Sequence, residues 1–213
     1  MKGKLIVIEG ADASGKQTQS ELLIKSLKKE GFRAELISFP RYKTEFGKLV
    51  RKYLSGAFGP IKKVSPEFAS LLYALDRYDA AASLQKKLEQ GNIVVCDRYT
   101  ASNIAHQAAK FSGAKQYHFI KWVNSVESEL PIPNITIYLD VPLNVSQILM
   151  KKQGRKRDLH EQNLSYLKKV RLVYLKLAKK KNWVKINCVQ GKKLRSIATI
   201  HSDLREVISG ILK

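Results

Sequence analysis

The residues able to do chemistry fall in four short stretches. In EGADASGKQT, residues 9–18, Gly10, Gly15 and Lys16 stand at the G-x-x-x-x-G-K spacing of a phosphate-binding loop. In such a loop the backbone N–H groups of Ala11, Asp12, Ala13, Ser14, Gly15 and Lys16 curl around a phosphate. The following helix N-terminus adds partial positive charge, and the lysine reaches the β- and γ-phosphates. The next position normally carries a Ser or Thr whose hydroxyl holds Mg²⁺. Here it is Gln17, with Thr18 one residue late. One step along a helix rotates a side chain by about 100°, so Thr18 points elsewhere, toward an α-phosphate. Holding the metal then leans more on carboxylates or on water. Glu9 ends the first expected strand, Asp12 lies in the loop and Asp97 ends the third; all three are expected at the carboxyl edge of the sheet.

Arg41 follows a strand and a proline in SFPRY. Tyr73 and Arg77 lie one helical turn apart in LLYALDRYDA, so they share a face. In CDRYTASNIAHQ, Asp97 and Arg98 sit at a strand end, ahead of Ser102, Asn103 and His106. An arginine fork suits phosphate oxygens and an aromatic face suits a base. Each signal also has a plain structural reading. Arg98 could simply pair with Asp97, and Tyr73 with Arg77 could be core plus surface.

These residues need a frame. KLIVIEG (4–10), AELISF (34–39), NIVVCD (92–97), NITIYLD (134–140) and WVKIN (183–187) read as strands. Helices are expected at 17–31, 44–54, 66–90, within 102–128, at 143–152, 158–180 and 195–212. Ser65 serves as N-cap and Pro66 as first residue of the long third helix. Strands that are apolar on both faces and alternate with helices predict an α/β fold: a parallel sheet covered by helices on both sides. No repeat or low-complexity linker divides residues 1–213, so one domain is expected.

Composition narrows the class. Hydrophobic residues make up 44% of the 213, enough for a substantial core. No apolar run approaches the roughly 18 residues of a membrane helix, and no signal peptide is read, so a cytoplasmic protein is expected. Cys96 and Cys188 fall in or beside buried strands and read as reduced core residues. The formal charge is +21, and residues 151–181 hold twelve Lys/Arg against two acids. With no aromatic-interleaved RNA motif or finger spacing, this stretch reads as a solvated helical face rather than a nucleic-acid surface.

The ordered set EGxDxxGK…TQ, FPR, LLYALDR, DRYxxSNxAxQ, a basic glycine-containing segment and VRxxYLxLA resembles the thymidylate kinase family, from residue 4 to about 205. The resemblance implies a P-loop NTPase fold with a five-stranded parallel sheet and a small lid at about 151–158. It also implies transfer of the ATP γ-phosphoryl to dTMP with Mg²⁺, and a homodimer. It puts Lys16 and the loop on the donor phosphates and Asp12 beside the acceptor phosphoryl. Arg41 and Arg98 clamp that group, next to Phe39 and Pro40. Tyr73 stacks on the pyrimidine, Arg77 hydrogen-bonds it, and Ser102 and Asn103 line its Watson–Crick edge.

Three departures accompany the likeness. Gln17 replaces the metal-binding hydroxyl. His106 stands where many bacterial-type members have Tyr, near the sugar. Ala13 and Ser14 leave the loop without an arginine, so Arg155 and Arg157 of the lid are expected to supply the transition-state cation. Two other readings compete. A deoxynucleoside kinase would need a carboxylate-and-Arg base after the second strand, and FPR shows no acid next to Arg41. A basic nucleic-acid-binding P-loop protein would bind DNA without turnover.

Overall fold

The structure, a computed structural model, describes residues 3–60, 63–152, 163–191 and 193–212. In β1 (Lys4–Gly10) every residue from Leu5 to Gly10 is buried. Side chains alternate across a strand, so Leu5 and Val7 enter one apolar cluster while Ile6 and Ile8 enter another on the opposite face. That two-sided burial places β1 at the centre of a five-stranded parallel sheet, in the order β2-β3-β1-β4-β5. The others are β2 (Ala34–Ser38), β3 (Ile93–Asp97), β4 (Ile135–Asp140) and β5 (Trp183–Asn187). The expected parallel sheet is therefore present.

Helices cover both faces. α1 (Lys16–Lys29) and α8 (Ile197–Leu212) send Leu23, Leu27, Leu204 and Ile208 onto Ile6, Ile8 and Ile137. On the other face α3 (Pro66–Glu89) packs Ala80 and Leu84 against Leu5, Val7 and Val94. α4 (Thr100–Ala108), α5 (Gly113–Val126) and α7 (Leu164–Leu177) surround Tyr138. α2 (Glu45–Leu54) lies against α3 through Val50, Tyr53 and Leu72, and α6 (Leu143–Lys152) follows β4. The capping signals hold: Ser65 Oγ accepts from Phe68 N at 3.1 Å, with Pro66 opening α3.

Two local differences stand out. A two-stranded antiparallel ribbon, β6 (Val189–Gln190) with β7 (Lys193–Leu194), fills what reads as a loop. α7 starts at Leu164, capped by Asn163, whose Oδ1 accepts from Tyr166 N at 3.1 Å; residues 158–162 lie outside the described ones. Cys96 and Cys188 are buried free thiols. Among the described residues no helix is long and apolar enough to cross a membrane.

In this order the chain leaves β1 toward β2 and leaves β3 toward β4, so the crevice beyond the carboxyl ends of β1 and β3 is the topological switch point, where ligands bind in such sheets. The register pairs Ile8 with Asp97. The loops after both strands, carrying Asp12 and Arg98, therefore meet at that crevice.

Candidate active site

The loop after β1 has a phosphate-cradling form. Ala13 and Gly15 adopt positive φ, 57° and 85°, and Ser14 N donates to Ala11 O at 3.2 Å to close the turn. A Cβ on Gly10 would lie 2.5 Å from Ser14 Oγ and 3.0 Å from Leu139 O, so only glycine lets the loop fold this closely. The N-cap of α1 is Gly15, with no side chain capping the first turn, which leaves its N–H groups for an anion. Lys16 is buried and its Nζ donates to Ala11 O at 2.7 Å. Burial pulls its pKa down to about 8, aided by the Arg98 charge and opposed by Asp12, Asp97 and Glu9.

The three carboxylates separate in role. Glu9 was expected near the metal, but it is completely buried and its lone pairs are committed. Oε1 accepts from Tyr99 N (2.9 Å) and Ser102 N (3.1 Å); Oε2 accepts from Ser102 Oγ (2.7 Å) and Tyr174 Oη (3.0 Å). The Tyr99 side chain does not cap α4, so Glu9 does that work from β1, a favourable place for a carboxylate. Burial raises its pKa, against the pull of these donors and Arg98. Glu9 is thus a structural strut rather than a metal ligand. Asp12 forms an ion pair with Arg98 Nη2. Asp97 Oδ1 is buried with no hydrogen-bond partner among the described residues. Among the described residues no group of three His/Cys/Asp/Glu side chains is arranged to hold a metal ion directly. Asp97 thus keeps an uncommitted oxygen among the described residues. Gln17 is exposed and its Nε2 donates to Glu21 Oε1 at 3.0 Å, and Thr18 is also exposed, one step around the helix.

A pocket opens beside the loop. Its floor is Asp12 and Arg98, its walls include Phe39, Pro40, Tyr73 and Arg77, and Ser102, Asn103 and His106 of α4 complete it. The sequence-nominated acceptor residues therefore converge, with one exception. Arg41 does not line the pocket: its Nε reaches Asp76 Oδ1 at 3.1 Å and its Nη2 reaches Asp79 Oδ2 at 2.5 Å. Acids invisible beside it in FPR thus sit beside it in space. Asp76 is itself consumed, accepting from Arg41 N (2.8 Å), Arg41 Nε and Thr44 Oγ1 (3.3 Å). Ser102 is near the pocket, but its hydroxyl is spent on Glu9 and accepts from Arg98 Nη1 at 3.2 Å, which removes it from reading a base edge.

Arg98 reaches the floor from an unusual backbone position, φ 66°. Burial works against its charge. The carboxylate of Asp12, the Tyr174 hydroxyl, Asp97 and Glu9 outweigh that, so its pKa is raised and the guanidinium stays charged. Deeper in, Arg77 Nη2 pairs with Glu127 Oε1, and Asn103 Nδ2 donates to Glu127 Oε1 (3.0 Å) and Ser70 O (3.2 Å). His106 is held by Tyr166, whose hydroxyl donates to His106 O at 2.7 Å and lies 3.3 Å from Nδ1. Arg155 and Arg157 lie outside the described residues.

Sequence reasoning missed Glu127, Asp76 and Asp79. The two aspartates were within reach, since ALDRYD places them one helical turn apart around Arg77. Nothing in SVESELP marks Glu127; only the packing of α5's end against α3 and α4 brings it in.

A five-stranded parallel sheet of this order, a phosphate loop after its central strand and an arginine-floored pocket at its switch point define a P-loop kinase. The comparisons make the family specific. The thymidylate kinase family profile matches residues 8–199. The chain is 32% identical to the probable thymidylate kinase of Pyrococcus abyssi, over 96% of this chain and 95% of that one. It is 31% identical to the thymidylate kinase of Homo sapiens, over 96% and 89%. The solved thymidylate kinase of Candida albicans superposes with a TM-score of 0.81 at 29% identity, covering 98% of this chain and 92% of that one. The chain belongs to the thymidylate kinase family.

Proposed function

We propose that the chain transfers the γ-phosphoryl of ATP to the 5′-phosphate of dTMP, giving dTDP and ADP. The observation that carries this is the junction of the phosphate loop with a pocket lined by a charged arginine and by buried polar atoms left unspent, two of them on residues assigned to the base. Arg77 Nε and Asn103 Oδ1 are buried and have no partner among the described residues. A donor and an acceptor are what a pyrimidine edge can satisfy.

The reaction needs alignment and neutralised charge more than covalent help. Lys16 and the loop N–H groups hold the donor phosphates. Arg98 holds the acceptor phosphate, one oxygen of which attacks the γ-phosphorus while the bond to the β,γ-bridging oxygen breaks and leaves with ADP. That oxygen is already nucleophilic, so no general base is required, and the buried, fully engaged Asp76 is not asked to be one. Asp97, with its unpartnered oxygen, is the residue suited to hold Mg²⁺; Mg²⁺, when bound, offsets charge on the β- and γ-phosphates.

The finer assignments follow from the same surface. α3 leaves Phe68, Leu71, Leu75 and Tyr78 about 40% exposed, an apolar stripe at helical spacing that suits a homodimer contact. The cytoplasm, where thiols such as Cys96 and Cys188 stay reduced, is the proposed compartment.

The test is ADP release measured with ATP and each acceptor in turn. Turnover with dTMP but not with thymidine is the expected result. Turnover with thymidine would make the protein a nucleoside kinase instead.

A further inference from the structure

Three of the polar side chains around the far end of the pocket come from distant segments: Arg77 from α3, Asn103 from α4 and Glu127 from the residue after α5. All are almost wholly buried, at 3%, 2% and 6% exposure. One oxygen, Glu127 Oε1, accepts from both Arg77 Nη2 and Asn103 Nδ2. Neither arginine nor asparagine is locked by its own helix, because each has rotatable bonds to spare. The carboxylate is what ties them together.

The consequence is sharpest at Asn103. Its amide can present either an acceptor or a donor to the pocket, depending on which way it is turned. Nδ2 stands 3.0 Å from Glu127 Oε1 and 3.2 Å from Ser70 O, two acceptors. The flipped amide would set its oxygen against both, trading two hydrogen bonds for two repulsions. Glu127 and the Ser70 carbonyl therefore leave Oδ1 as the amide's remaining polar atom, and both it and the Arg77 Nε–H are buried and unpartnered among the described residues.

We propose that Glu127 is the positioning residue for base selectivity: by holding Arg77 and the Asn103 amide in this polarity, it selects a pyrimidine with an N3–H flanked by carbonyls. Thymine and uracil offer a donor at N3 for Asn103 Oδ1 and a carbonyl for the Arg77 fork. Cytosine offers an acceptor at N3 and an amine beside it, the reverse pattern on both counts. Mismatched buried polar groups discriminate far more strongly than missing apolar ones. Glu127 lies behind the readers and acts through them. This inference rests on the dTMP kinase reading.

The experiment measures steady-state constants for dTMP, dCMP and ATP in the wild type, Glu127→Gln and Glu127→Asp, with thermal melts alongside. Glu127→Gln gives Asn103 a side chain that can either donate or accept, so the amide is no longer held one way. Its dTMP kcat/KM should fall by about 10- to 100-fold and its dTMP-to-dCMP ratio by at least about tenfold, with the KM for ATP within about twofold. Glu127→Asp keeps the charge at shorter reach and should lose less of the ratio; if Glu127→Gln does not fold, Glu127→Asp should still raise the dTMP KM selectively. A lower melting temperature with an unchanged dTMP-to-dCMP ratio, or equal losses for dTMP and ATP, overturns the proposal and makes Glu127 merely structural. A wild type that turns over thymidine and not dTMP overturns instead the reading of function on which it stands.

Discussion

Arg98 and Asp12 form an ion pair that joins the loop after β3 to the loop after β1. The Arg98 backbone holds φ 66°, a region that costs a non-glycine residue about 1–3 kcal/mol, anchored by its N–H on Ile8 O at 3.0 Å. The guanidinium lines the pocket with Asp12, and on the proposed reading an acceptor phosphate would compete with Asp12 for it. Arg98→Lys keeps a charge but loses the planar fork. It should cut kcat/KM for dTMP by about 30- to 300-fold, or about 2–3 kcal/mol, with a smaller change in the KM for ATP. Steady-state kinetics with either substrate saturating separates these; equal effects on both would move Arg98 off the acceptor side.

Lys16 predicts a pH effect. Its pKa in the ligand-free protein lies near 8, so the cation is about half deprotonated there. Nucleotide phosphates favour the cation and raise that pKa, so ATP binding above about pH 8 must draw a proton onto Lys16. Affinity for ATP should therefore weaken as pH rises through 8. Calorimetry at pH 8.5 in two buffers of different ionisation enthalpy should show net proton uptake in the wild type. Lys16→Met should abolish that uptake and lower turnover by orders of magnitude.

Asp97 and Gln17 differ in what they have left to offer a cation. Asp97 keeps a buried oxygen with no partner among the described residues, whereas Gln17 is exposed and bonded to Glu21. Asp97→Asn removes a full charge and should raise the Mg²⁺ requirement by about tenfold or more. Gln17→Ala should change rate by under about tenfold, a barrier of about 1.4 kcal/mol. Rate titrated with Mg²⁺ at saturating ATP and dTMP decides it: matching shifts in the two variants would give Gln17 the metal.

His106 lines the pocket and is braced by the Tyr166 hydroxyl. On the proposed reading the sugar lies next to it, and a tyrosine in its place would fill more of that space. His106→Tyr should raise the preference for dTMP over ribothymidine monophosphate by about two- to tenfold. Tyr166→Phe, which releases the imidazole, should lower it. The ratio of efficiencies in the three proteins checks both directions; a ratio unmoved by either variant places His106 away from the 2′-position.

The stripe on α3 should hold two copies together. Leu71→Lys with Leu75→Lys puts charge into that contact, and burying an unpaired charge is costly. Light scattering should show a dimer for the wild type and a monomer for the double variant, with the melting temperature of each measured in parallel. A monomeric wild type would remove the stripe from this role.

Much of the fold was legible in local pattern. Apolar runs marked five strands, of which the three inner ones are buried, 3.6-residue spacing and caps marked the helices, and the Gly-Lys spacing placed a phosphate loop. These features depend on neighbours in the chain, so sequence alone determines them. It also brought Tyr73, Arg77, Arg98, Asn103 and His106 to one pocket, because parallel strands and the helix after each deliver their ends to one edge. What each polar group does there was decided by the tertiary structure. Glu9 reads like a ligand at a strand end until Tyr174, 165 positions away, and the α4 N-terminus consume its oxygens. Arg41 has no acid beside it in sequence, yet Asp76 meets it across 35 positions. Glu127 carries no local signal and still holds both residues assigned to the base. A lone pair is spent by whichever donor packing brings within about 3 Å, and that donor is set by long-range burial rather than by spacing along the chain.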